Sequence, residues 1–341
     1  MSDPHRDDPS KDELKDGNTL EPEAPQGDAT PTEDAPAPVE ASMTSPNDAT
    51  PMEPAEASSE GQEATDAGVT PDEEDAWDTA EEEEPRPTYT VTAGDRWRQS
   101  LVLVSILTTI ALNALANTLP LMGRLTADIS DAYPTPFTPA GYVFAIWGVI
   151  YLGLTIYGVW QARPAQANDE RLRSAAPWIV YAGAFNIAWL VLWHAERVVL
   201  STLPLVGLLL VLMVAYERLR GGPNGPGIRW AARVPFGIYL GWASVATIAN
   251  IAVSGWALDW RGAPLQAETW ALIVIAVATL IGLRMLQVRG DAAFALVLVW
   301  AFVGIAIRAG LPGILPYGAL IAAALLLGGA VGRMARPNPA L

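Results

Sequence analysis

From about residue 99 onward the chain alternates long apolar runs with short polar breaks; before that point it has no apolar run of comparable length. The runs fall at about 99 to 121, 140 to 160, 175 to 194, 201 to 218, 232 to 254, 268 to 286, 292 to 308 and 313 to 332. Each is close to the roughly 20 residues that a helix needs to cross a hydrocarbon layer of about 30 Å. None alternates with a period of two, and open sheet edges are not tolerated in lipid. The expected fold class is therefore an all-α membrane protein, a bundle of about eight transmembrane helices.

Arginine placement tests that count. With the N-terminal side in the cytoplasm, the inner segments hold Arg86, Arg96, Arg98, Arg163, Arg171, Arg173, Arg218, Arg220, Arg229, Arg233, Arg284, Arg289, Arg333 and Arg336, while the outer loops hold only Arg124, Arg197, Arg261 and Arg308. The bias obeys the positive-inside rule only if all eight spans are present, and it puts both termini in the cytoplasm. The expected localisation is multi-pass in the cell's inner membrane, with the lipid bilayer as the first partner.

The second span is the most informative. Thr138 suits a helix cap and Pro139 the first turn, where a missing N–H costs nothing. On a helical wheel Phe144, Trp147, Tyr151 and Thr155 share one face, and Gly141, Ala145 and Gly148 share another that predicts close approach of a neighbouring helix. The third span carries Trp178, Ala182, Phe185, Asn186, Trp189 and Trp193; the fifth carries Pro235, Tyr239, Trp242, Ala246, Ala249 and Asn250, with Gly237 and Gly241 opposite as a GxxxG face. Under the eight-span topology Asn113, Asn117, Tyr142, Phe144, Trp147, Asn186, Trp189, Trp193 and Asn250 come out at one depth in the outer half. A buried amide must be bonded, so these asparagines either pair helices or line a cavity. Trp160, Trp178, Trp193, Trp256, Trp260 and Trp270 suit an interfacial belt, whereas Trp147, Trp189 and Trp242 lie deeper and suit a pocket wall. The loop from Met122 to Pro139, stiffened by Pro134, Pro136 and Pro139, emerges above this cluster as a lid or as a plain connection.

Charge divides the chain. Residues 1–90 hold 27 Asp and Glu against four Lys and Arg, a net −23, and the remainder holds 17 Arg against 10 acids, a net +7, together the −16 of the whole. A region so acidic and so poor in aromatics cannot offset the entropy of ordering, so residues 1–95 read as a disordered acidic tail. That leaves 96–255 as a five-helix ligand-binding bundle and 256–341 as three additional transmembrane helices. The first thirty residues lack the basic start and apolar run of a cleavable signal.

Chemistry is sparse. There is no cysteine and the only histidines are His5 and His194, which leaves no thiolate chemistry and no metal cluster to predict. No P-loop or Ser-His-Asp set is present, and the glycines at 221, 222, 225 and 227 precede no βαβ unit. The expectation is a non-enzyme, with no catalytic residues, no required cofactor and no nucleic-acid partner. A secondary transporter of a small solute is the alternative function, although Glu217, His194 and Arg308 all sit near helix ends rather than mid-membrane.

These residues resemble the tryptophan-rich sensory protein or translocator protein family, also called TspO/MBR or peripheral-type benzodiazepine receptor-like. Thr135, Pro136, Phe137, Thr138 and Pro139 leading into Tyr142, Phe144, Trp147 and Tyr151 match its loop and second-helix W-x-x-x-Y pattern; Phe185, Asn186 and Trp189 match the third helix; Pro235, Phe236, Tyr239, Trp242 and Asn250 match the fifth. The likeness covers about residues 100 to 255. It implies a five-helix bundle that binds a porphyrin, or another flat hydrophobic small molecule, as ligand under the first loop. The implied ligand-binding residues are Phe137, Tyr142, Phe144, Trp147, Tyr151, Asn186, Trp189, Tyr239, Trp242 and Asn250. A homodimer is a candidate assembly. Phe137 stands where many members have tryptophan, which weakens the carry-over of indole-dependent porphyrin chemistry; porphyrin-degrading activity is implied by the resemblance alone and falls on no residue of this sequence, and no sterol pattern follows the fifth span.

Overall fold

A computed structural model describes residues 89–119, 123–222 and 225–335. The acidic tail expected over 1–95 lies, as far as residue 88, outside the described residues. Those described fold as helices without strands: α1 Ala93–Thr118, α2 Thr126–Asp131, α3 Ile146–Gln161, α4 Glu170–His194, α5 Val198–Arg220, α6 Pro226–Ile228, α7 Val234–Ala257, α8 Ala267–Arg289, α9 Ala292–Ala309 and α10 Ile314–Ala335. Eight of the helical stretches are long and apolar enough to cross a membrane, as the runs predict.

The helix boundaries follow local chemistry. Thr92 and Asp95 form a capping box at the start of α1, satisfying orphan amides at both residues. Asp169 caps α4, and its hydrogen bond from Arg171 holds its carboxyl below the usual carboxylate range. Asp291 caps α9, accepting from the Phe294 amide at 3.0 Å. Pro235 cannot donate to the Ala231 carbonyl, and α7 is accordingly entered through a π turn, Arg229–Arg233. Arg233, buried in this turn, donates to the carbonyls of Leu219, Arg220 and Gly222, so it closes the end of α5.

Helix contacts correct two expectations. The second span opens as a 3₁₀ turn, Gly141–Ala145, and only then becomes α3, so its first residues leave the α-helical wheel. A Cβ on Gly148 would meet nothing within 4 Å, so the Gly141, Ala145 and Gly148 face is not a close contact; that role falls to Gly153, whose Cβ would lie 3.0 Å from Pro235 Cβ on α7. The GxxxG face of α7 behaves as expected. A Cβ on Gly237 would lie 2.7 Å from an Asp291 carboxylate oxygen, and one on Gly241 would lie 3.2 Å from the Phe294 carbonyl, so small residues let α9 seat directly on α7.

The first loop is fastened to α9. The Ala140 amide donates to the Gly304 carbonyl at 3.1 Å, the Trp300 indole donates to the Val143 carbonyl at 3.0 Å, and Arg308 pairs with Asp131. A Cβ on Gly304 would fall 2.1 Å from Val143 Cγ2, a position only glycine can hold. Helices beyond the fifth span thus position the loop that lies over the first five.

Candidate functional site

Trp147 is the centre of an aromatic cluster between α3, α4 and α7. Its ring stacks on Tyr151 at 5.5 Å and on Trp189 at 6.0 Å, and meets Tyr239 and Trp242 edge-on at 6.2 and 6.1 Å. Phe144 joins through an edge contact with Trp242 at 5.9 Å. The separation of Trp147 and Tyr151 by one helical turn, and the matching spacing of Tyr239 and Trp242 across from them, is what lets four rings reach one indole.

Amide chains brace the cluster. Asn113 of α1 donates to Asn186 Oδ1 at 2.8 Å, and Asn186 Nδ2 donates to the Tyr239 hydroxyl at 3.0 Å, so one chain of bonds runs through α1, α4 and α7. Trp189 donates from its indole to Asn250 Oδ1 at 3.1 Å, while Asn250 Nδ2 donates to the Val198 carbonyl at 3.0 Å and to Thr202 Oγ1 at 2.8 Å. Of the two roles open to the asparagines, Asn186 and Asn250 fill interhelical pairing. In doing so they fix the rotamers of Tyr239 and Trp189, which face Trp147. Asn117, by contrast, is exposed and donates to the Asn113 carbonyl of its own helix.

The structure thus joins Phe144, Trp147, Tyr151, Asn186, Trp189, Tyr239, Trp242 and Asn250 into one connected group. Phe137 is buried in the core at 3% exposure without a ring contact to the cluster. Tyr142 lies apart: it is exposed and stands edge-on to Trp300 at 5.3 Å, against α9. Trp193 does not face outward as a belt residue would. It is buried, stacked on Trp189 at 5.9 Å, and donates to the Thr126 carbonyl of the first loop. Its position one turn beyond Trp189 is the signal that places it on the same stripe. His194, expected at an interface, is also buried, with Nδ1 bonded to the Leu190 carbonyl.

Two groups in the cluster stand out chemically. The Tyr151 hydroxyl and the Trp242 indole N–H are buried and have no hydrogen-bond partner among the described residues. An unpaired buried donor costs about 1–3 kcal/mol, so each of the two would gain from an acceptor brought within its reach.

A family model described as TSPO-like protein matches residues 99–332, reaching from the first span into the last. No curated protein and no solved structure matches the chain.

Proposed function

The chain belongs to the TSPO-like protein family as a multi-pass membrane protein, and from that premise we propose that it is a sensor or translocator that takes a porphyrin-like or other flat hydrophobic molecule among α3, α4 and α7. The observation that carries this reading is the pair of unpartnered donors, Tyr151 and Trp242, set at the edge of a multi-ring aromatic cluster. A planar ligand offers the rings a larger face to stack on, and its carboxylates or carbonyls accept from the two donors. Trp147 touches four other rings, so its rotation opens the most space for access. Asn186 and Asn250 hold the surrounding walls while that happens.

Porphyrin is here a ligand and not a resident cofactor, and no catalytic step is assigned. The arginine-rich ends face the cytoplasm in this reading, so the ligand meets the opposite half of the bundle. Titration of the purified protein with protoporphyrin should quench tryptophan emission saturably. Quenching should be lost when Trp147→Phe is combined with Trp242→Phe; an unquenched wild-type protein removes the proposal.

A further inference from the structure

A cavity of about 290 Å³ opens at the loop end of the bundle, and none of the aromatic or amide residues of the cluster lines it. Its walls are two proline-bearing turns: Pro134 and Pro136 of the first loop, and Pro312 and Pro316 at the junction of α9 and α10. Prolines fix their own φ, and the loop wall is further held by the Thr135 to Thr138 hydroxyl bond of 2.7 Å and by the ties to α9, so the shape exists before any ligand arrives.

The helix end beside those prolines sets the chemistry. α9 stops at Ala309, and the carbonyls of its last turn, those of Arg308 and Ala309 among them, have no acceptor role left to fill within the helix. The wall includes the C-terminus of α9, which carries partial negative charge. Glu268, in the first turn of α8, adds a carboxylate that makes no ion pair or hydrogen bond among the described residues. The cation in the wall, Arg308, is engaged by Asp131, the Thr135 and Thr138 hydroxyls are bonded to each other, and the first amides of α10 offset the end of α9, so the charge left unpaired in the wall is that of Glu268. It stands against an apolar background of proline rings, Ile314 and Leu315.

We propose that this cavity binds a small organic cation, an alkylammonium whose N–H groups are met by Glu268 and by the carbonyls at the C-terminus of α9, and whose hydrocarbon lies on the prolines and Ile314. Its volume matches the lower end of small-molecule pockets, which favours a short chain. The site is separate from the aromatic cluster, so it can be occupied whether or not a flat ligand is bound there.

The test uses the full chain in discs of zwitterionic lipid, titrated calorimetrically with n-butylammonium chloride and, in parallel, with n-butanol. Saturable binding of butylammonium is expected, with butanol much weaker. Glu268→Gln should weaken it about tenfold or more, the loss of one charge-assisted bond. No saturable binding, equal binding of butanol, or unchanged affinity in Glu268→Gln would overturn the proposal.

Discussion

Tyr151 is the residue at which stability and binding pull in opposite directions. Its ring stacks on Trp147, but its hydroxyl is buried without a partner. Tyr151→Phe keeps the ring and removes the orphan, so the ligand-free protein should become more stable by about 1 kcal/mol, read as a higher thermal midpoint. If the hydroxyl serves the ligand, the same change should weaken protoporphyrin binding. A destabilised Tyr151→Phe protein would mean that the hydroxyl is satisfied in the ligand-free state. The sequence places Tyr151 and Trp147 on one face from spacing alone, yet it cannot say which polar atoms are left unbonded, because that depends on partners three helices away. Asn186 makes the same point from the other side: its burial follows from the run it sits in, whereas its bond to Tyr239 needs the packing of α4 on α7.

At the scale of elements, α7 joins the two halves of the bundle. One side presents Tyr239 and Trp242 to the cluster, and the other presents Gly237 and Gly241 to α9. Gly241→Leu would place bulk where a Cβ already lies 3.2 Å from the Phe294 carbonyl, and should cost about 1–3 kcal/mol of stability by forcing α9 away. Gly148→Leu, which faces open space, should leave the thermal midpoint nearly unchanged. Both glycines sit in small-residue patterns, and only one pattern is a contact. Wheel geometry assumes a continuous α-helix; the 3₁₀ turn at Gly141–Ala145 breaks that assumption for the second span, while α7 keeps it. The π turn before Pro235 was equally hidden, since a proline announces a disturbance without stating whether the helix kinks, stops or widens.

Across the whole molecule, eight spans and their order follow from apolar length and arginine placement, because the demands of a hydrocarbon layer are written in every run. The bond between the first loop and α9 was not legible. Trp300 and Arg308 lie more than a hundred residues from the loop they hold, and nothing in their neighbourhood names a partner. The last three helices thus hold the connection between the first two spans. Trp300→Ala combined with Arg308→Ala should raise the open population of the loop about tenfold or more, seen as faster tryptic cleavage at Arg124 with the remaining sites unaffected. Equal cleavage rates in wild type and variant would show that the loop is held from elsewhere.

The arginines at the opposite end lead to a practical consequence. Arg98 reaches the Ala167 carbonyl, Arg220 reaches the Arg289 carbonyl, and Arg233 closes the last turn of α5. Side chains that the positive-inside rule would set on the cytoplasmic face are thus also the rivets of the finished object. Anyone wishing to invert it in the bilayer by moving positive charge from one side to the other should relocate Arg218 and Arg284, since exchanging the riveting ones would disassemble the very thing being turned over.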